Sequence, residues 1–312
     1  MDHAAPLSKT VPGPVPSSQA ILPQAATLTL LVVVPDDADP APWVQARAAL
    51  PDVECSVILA YGRDGGARER DPAFEAVYAS CGSSIFHLWE AAIRRATGTY
   101  LAVLDARCPP SAAWFDGVRR AIADGVPAFF GPVTFRKGGN GQSIVEYLLE
   151  YGQFARPIGE GMDEVPGNNL VFRRDLLKEE DLREHQFHKV FFVGRLKQQG
   201  HAPVYRDNVE VIYGKRYGRL HYLRRRFAHG RTYAALRSAG QGVGYRFWRV
   251  VSSPGLPLLR LFRIANSLRG KPSLQAALSW HPVYALAAEI AWSLGECAGY
   301  LTGKPGELAY LN

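Results

Sequence analysis

The feature that most constrains this chain is a series of short, unbroken apolar runs set between stretches of helical periodicity. Residues 28–34 (LTLLVVV) form a β-branched run ended by Pro35; 55–60 (CSVILA), 100–104 (YLAVL) and 128–131 (AFFG) are three more. A strand that is apolar at every position, not at every second one, needs cover on both faces, as in a parallel sheet layered between helices. The segments between supply those helices: 42–50, then 84–97 with Ile85, Leu88, Trp89 and Ala92 at three- and four-residue spacing before Gly98, then 112–124. Strands and helices alternating at these lengths predict an α/β fold, a mainly parallel, Rossmann-like sheet flanked by helices.

Residues 1–26 hold five prolines and no apolar period, so they read as a disordered tail ahead of an α/β domain over 27–213. Over the whole chain, 47% hydrophobic residues with 14 Tyr, 14 Phe and 6 Trp exclude collagen-like, coiled-coil and wholly disordered chains. The four cysteines, at 55, 81, 108 and 297, make no CxxC pair and no zinc-type Cys/His spacing, which predicts free thiols and a cytoplasmic location. The net charge of +7 is local in origin: residues 205–271 carry fifteen Lys/Arg against Asp207 and Glu210, leaving 21 bases and 27 acids elsewhere. Such a field attracts phosphates, anionic lipid headgroups or nucleic acid alike. Nucleic acid is the least favoured of these, because Tyr217, Tyr222, Phe227 and Tyr233 are interleaved with the bases but no nucleic-acid motif accompanies them.

Ligands of open α/β sheets bind beyond the carboxyl ends of the strands. Pro35, Asp36 and Asp37, the loop from Tyr61 to Asp64, and Asp105-Ala106-Arg107 stand at those ends. Asp105 alone suits a turn before Pro109 and Pro110.

The order of landmarks resembles the family 2 glycosyltransferases. LLVVVP at 30–35 resembles that family's opening strand and proline, and HLWEAAIRRATGTYLAVLDARCPPSAAWFDGV at 87–118 resembles its helix, Gly-x-Tyr, strand, Asp-x-Asp, Pro and Trp. VPGNNLVFRRDLL at 165–177, RLKQQGHAPVY at 195–205 and LRRRFAHGR at 223–231 are similar to its later elements. The resemblance implies a GT-A fold and transfer of a sugar from a nucleotide-diphosphate donor to a hydroxyl of a glycan or lipid-linked acceptor, in polysaccharide or cell-envelope biosynthesis. It implies nucleotide contacts from Pro35, Asp37, Asp64 and Asp105, and sugar contacts from Asn168 and Asn169. It also implies Mg²⁺ or Mn²⁺ at Asp105, since such ions prefer carboxylate and phosphate oxygens.

The match departs from that pattern in two places. DARC puts Arg107 where the second acid would stand, and counting back from Arg195 the family's catalytic Glu-Asp pair falls on His188 and Lys189. An enzyme altered in this way would use Arg107, Arg224 and Arg226 as fixed positive charge for the diphosphate and His188 as general base. His188 stands at the start of a helix expected to turn Phe187, Val190 and Phe191 inward. The alternative is a catalytically inactive glycosyltransferase-fold subunit or glycan-binding partner.

Residues 214–312 read as a basic, amphipathic helical extension. Residues 256–268 mix apolar residues with Arg260 and Arg263, while 282–301 are apolar apart from Ser293, Glu289 and Glu296. Glu289 and Glu296 are placed on one helical face, leaving an apolar surface with Trp292 and Tyr300. With the bases just ahead of it, this predicts peripheral attachment to an anionic membrane surface.

Overall fold

A computed structural model describes residues 26–35, 38–45, 50, 53–62, 74–78, 83–136, 141–158 and 164–306. Apart from Ala26, the expected proline-rich tail lies outside them, as do Asp36, Asp37 and Asp64. Seven strands form the main sheet: β1 (Thr27–Val34), β2 (Glu54–Tyr61), β3 (Glu75–Tyr78), β4 (Tyr100–Asp105), β5 (Ala128–Phe130), β7 (Asn169–Arg173) and β8 (Val204–Tyr205). Their order is β3-β2-β1-β4-β7-β5-β8, parallel throughout except that β7 runs against both its neighbours. The chain thus has the expected α/β architecture, a mostly parallel central sheet flanked by helices. A separate two-stranded parallel sheet pairs β6 (Val133–Phe135) with β9 (Val211–Tyr213).

The apolar runs form the central strands. Every residue of β4 is buried, as is every residue of β1 beyond Thr27. Register brings Val33 opposite Asp105 and Val34 opposite Tyr61, so β1, β2 and β4 end together on one edge. Two helices expected from periodicity cover this core: α2 (Ile85–Arg95) and α3 (Trp114–Ala123). The Ser84 hydroxyl caps α2 by accepting from the His87 amide at 3.3 Å, while His87 Nδ1 accepts from the Ser84 amide at 3.2 Å. That reciprocal cap satisfies two backbone donors and fixes where the helix starts. Of the helix expected over 42–50, the described part is the short α1 (Ala41–Val44), and residues 46–49 lie outside the described set.

The remaining α-helices among the described residues are α4 (Gly141–Tyr151), α5 (Lys189–Gln198), α6 (Arg219–Arg237), α7 (Val243–Ser252), α8 (Leu256–Ser267), α9 (Pro272–Trp280) and α10 (Pro282–Thr302). In α5 the inward face differs from expectation. Phe187 is buried, but Val190 and Phe191 are exposed, and Phe192, Val193 and Leu196 point inward instead. The helix begins at Lys189 with His188 as its cap, which sets the phase of its apolar face.

The long helices α6 and α10 lie against each other through glycines. A Cβ added at Gly230, Gly295 or Gly299 would collide with the carbonyl of Trp292, Phe227 or Arg231 respectively. Small residues let the two backbones approach this closely, and the approach decides which face of α10 is inside. It is the opposite of the one expected: Glu289 and Glu296 are buried, Trp292 is partly buried and Tyr300 is buried. The outward stripe is Val283, Ile290, Leu294 and Leu301. Val145 and Leu149 of α4 meet Tyr222, Ala285 and Ala288 in a second apolar cluster that joins these helices to the α/β body. Among the described residues no helix is long and apolar enough to cross a membrane.

Candidate functional site

Asp105 ends β4 on the carboxyl edge of the sheet, and tryptophans brace it. Trp89 Nε1 donates to the Leu104 carbonyl at 3.1 Å and Trp43 Nε1 to the Asp105 carbonyl at 3.4 Å. The chain then turns sharply: Asp105 Oδ1 accepts from the Arg107 amide at 2.9 Å, and the Cys108 amide donates to the Asp105 carbonyl at 2.9 Å. This is the turn-forming use of Asp foreseen from sequence. The side chain does more, because Lys215 Nζ lies 2.9 Å from Oδ2 and Arg107 Nε lies 3.3 Å from Oδ1. Gly214 allows this meeting. Its amide donates to the Arg107 carbonyl at 3.0 Å, and a Cβ there would stand 2.7 Å from that same oxygen, so only glycine lets the segment after β9 bring Lys215 in.

Asp105, Arg107 and Lys215 are all buried, Asp105 completely. Burial pushes the Asp105 carboxyl up, yet Arg107 and Lys215 outweigh it and hold the carboxyl well below the usual carboxylate range. Burial likewise opposes the Lys215 charge, and Asp105 overrides it, holding the ammonium well above its ordinary value.

A cleft of about 720 Å³ lies between this edge and the C-terminal helices. Nine Lys/Arg and three Glu line it, and Lys215 belongs to the lining while Asp105 does not. Two further carboxylates are engaged around it. Glu150 of α4 pairs with Arg225, and Glu289 of α10 accepts from both Arg226 and Arg260. Arg226 and Arg260 each stack at 4.5 Å from the Trp292 ring centroid, and Arg107 and Arg225 stack over Tyr217 at 5.3 and 4.7 Å. Asp105 and Glu289 are therefore each shared between two cations, leaving a positive excess at two buried points. Arg225 Nε, Arg226 Nε and His229 Nε2 are buried without a hydrogen-bond partner among the described residues. Buried charge and buried donors left unmatched are costly, so the arrangement has both the charge and the open donors to receive an anion.

The sequence-predicted residues distribute unevenly. Arg226 and His188 line the cleft, as does Gly167, and Arg107 sits behind Lys215. Arg224 is exposed and outside the lining, because one step along α6 turns its side chain away while Arg225 and Arg226 point inward. Pro35 is buried at the end of β1 and Asn168 and Asn169 are fully buried; none of the three lines the cleft. Asn169 is bound into the core, accepting from Trp114 Nε1 at 3.0 Å and donating to the Val209 carbonyl at 2.6 Å.

His188 is half-buried, stacked 3.8 Å from the Phe86 ring centroid, with Nε2 2.9 Å from Gln186 Oε1. Burial, helped by the neighbouring His87, pushes its pKa down to about 3. The adjacent Lys189 also lines the cleft; burial brings it down to about 8, with its ammonium on the Val165 carbonyl and 5.8 Å from the Phe154 ring centroid. Lys215, Arg225 and Glu150 were not singled out in the sequence, and Glu289 was marked only as part of a polar helical face, not as a partner of Arg226 and Arg260. Arg225 shared the basic run with its chosen neighbours, but nothing local marks Lys215 or Glu150.

A divalent ion at Asp105 does not fit this donor set. Both carboxylate oxygens are engaged by resident cations, and among the described residues no group of three or more His, Cys, Asp or Glu could hold a metal.

No protein-family model and no curated protein matches the chain. Among solved structures, the mannosyltransferase PcManGT from Pyrobaculum calidifontis, in complex with GDP-Man and Mn²⁺, is similar over 90% of this chain and 88% of that one, at 14% identity and a TM-score of 0.48. Glucosyl-3-phosphoglycerate synthase from Mycobacterium tuberculosis, in complex with Mn²⁺, UDP and phosphoglyceric acid, is similar over 62% of this chain and 72% of that one, at 11% identity and a TM-score of 0.39.

Proposed function

We propose that the chain is a GT-A-type glycosyltransferase, of the kind the family 2 landmarks suggest, that moves a sugar from a nucleotide-diphosphate donor to a hydroxyl of a glycan or lipid-linked acceptor. The observation that carries this reading is the cleft at the carboxyl edge of the sheet, where two buried carboxylates are each shared by two cations. That floor suits a diphosphate, which brings the negative charge the site lacks. A cytoplasmic location and a role in polysaccharide or cell-envelope biosynthesis are the setting such a donor and acceptor suggest.

In this reading Lys215, Arg225 and Arg226 hold the diphosphate and stabilise the charge that grows on it. The acceptor oxygen bonds to the anomeric carbon as the bond from that carbon to the diphosphate oxygen breaks, and the bonding pair leaves with the nucleoside diphosphate. The acceptor proton passes to the neutral amine of Lys189. An amine at about 8 is a better match to neutral pH than an imidazole at about 3, so His188 packs the cleft wall and Lys189 takes the role of base.

The test is release of nucleoside diphosphate from a panel of nucleotide sugars, in chelator and with added Mn²⁺. Turnover should persist in chelator. Lys189→Ala should lower it by about 10²–10⁴-fold with little change in donor affinity, and His188→Ala should lower it much less. An absolute requirement for Mn²⁺, or turnover that survives loss of Lys189, overturns the assignment of the site. Donor binding with no turnover under any condition favours the catalytically inactive subunit instead.

A further inference from the structure

Twelve of the eighteen exposed large apolar side chains among the described residues fall between Val243 and Leu301. They are not scattered. Val243, Phe247, Trp248 and Val251 recur at helical spacing on α7, and Leu258, Leu259 and Phe262 on α8. Trp280 stands 78% exposed at the turn before α10, whose outer stripe adds Val283, Ile290, Leu294 and Leu301. Helix α7 has no buried residue at all, although Phe247 and Trp248 are its largest apolar side chains. Apolar surface on this scale marks an interaction site, since single exposed residues are common but contiguous stripes are not.

We infer that the outer face of α7, α8 and α10 docks on an anionic lipid bilayer, lying in the interface without crossing it. Charge singles out this occupant: from Val211 to Ala288 the sequence contains no Asp or Glu, and α7 to α9 with their links carry Arg246, Arg249, Arg263 and Arg269 besides Arg260, which pairs with Glu289, and Lys271, which is buried. Arg263 and Arg269 are exposed beside the apolar stripes, where long side chains reach past buried stems to headgroup phosphates. Helices of 10 and 12 residues with aromatic and aliphatic faces are suited to lying flat at that depth. A protein partner would need complementary acids and apolar surface together, which a mixed bilayer presents everywhere.

The face is continuous with the cleft. Leu259 is exposed on α8 and also lines the cleft, and Arg260 and Arg263 stand beside it in the same lining. A docked protein would therefore open its cleft next to the lipid surface. In the proposed reaction this selects an acceptor carried on a lipid, a deepening that rests on the transferase reading; the docking itself does not.

The experiment is sedimentation of the full chain with phosphatidylcholine vesicles with and without phosphatidylglycerol, with tryptophan fluorescence read in parallel. Binding should require phosphatidylglycerol, weaken without vanishing in high salt, and shift the emission of exposed Trp248 and Trp280 to the blue. The pairs Phe247→Glu with Trp248→Glu, and Leu258→Glu with Phe262→Glu, should each weaken partition by at least about tenfold. Both pairs change exposed residues, so far-UV circular dichroism should be unchanged. Wild-type partition by both pairs overturns the inference. So does a chain that ignores the vesicles but forms a dimer that the same pairs dissociate, which would make the face a contact between two copies. Nucleotide-sugar turnover enters neither readout, so failure here leaves the proposed reaction standing, and the reverse holds too.

Discussion

Asp105→Asn separates a carboxylate that waits for a metal from one that anchors buried cations. Through an effective dielectric of about 20, unit charges at the observed 2.9 Å to Lys215 and 3.3 Å to Arg107 attract by about 6 and about 5 kcal/mol. Repulsion between the two cations and the loss of water from all three groups offset much of that attraction. Removing one partner from a buried ion pair typically costs about 3–5 kcal/mol, because the charge left behind stays buried and uncompensated. The asparagine can still accept from the Arg107 amide, so the turn survives and the loss is electrostatic. At about 1.5 °C per kcal/mol for a chain of this length, the midpoint of thermal unfolding should fall by about 5–8 °C. Urea unfolding followed by circular dichroism should show the same loss with and without Mn²⁺. Adding Lys215→Met to Asp105→Asn removes one stranded cation and should recover a substantial part of the stability. An Asp105→Asn protein within about 1 kcal/mol of wild type, or a double variant no better than the single one, would refute the hub role of this carboxylate.

Gly295→Ala should destabilise by about 2 kcal/mol or more, because the added Cβ meets the Phe227 carbonyl and must part α6 from α10; chemical unfolding measures it. His188 is held down to about 3 and burial holds His229 well below its ordinary value, so in the fold both remain neutral where the unfolded chain would bind protons. Stability should thus fall as pH drops below about 6.5 toward about 3, by up to about 1.4 kcal/mol per pH unit for each histidine, and His188→Gln should flatten the slope. The pH profile of turnover should rise to a plateau through about 8 if Lys189 is the base, a limb that Lys189→Ala removes. The same depressed value means that between about 8 and about 10.5 the unfolded chain holds a proton that the native chain has shed. Lys189 should therefore make stability rise with pH across that window, relative to Lys189→Met.

What the sequence determined by itself is the layered α/β body. Leu28 to Val34 and Tyr100 to Leu104 are apolar without alternation, and chain segments of that kind are satisfied only when covered on both faces. The end of such a strand also located Asp105, since a charged residue after a buried run marks the edge of the sheet. Tertiary structure decided the rest. Periodicity placed Glu289 and Glu296 on one face of α10 but could not say whether that face looked outward. The glycines of α6 and α10 settled it by bringing the backbones together, and Arg226 and Arg260 supplied the positive charge that makes a buried Glu289 tolerable. In the same way the basic run on α6 named Arg224 and Arg226 alike, and only the helix's docking turned Arg225 and Arg226 toward the cleft. The neutralisation of Asp105 was only half visible locally: Arg107 stands two residues on, but Lys215 reaches it from a distant part of the chain through a close approach that Gly214 permits. Local pattern reports what a segment must bury; which charges meet across that buried space is fixed only when the segments pack.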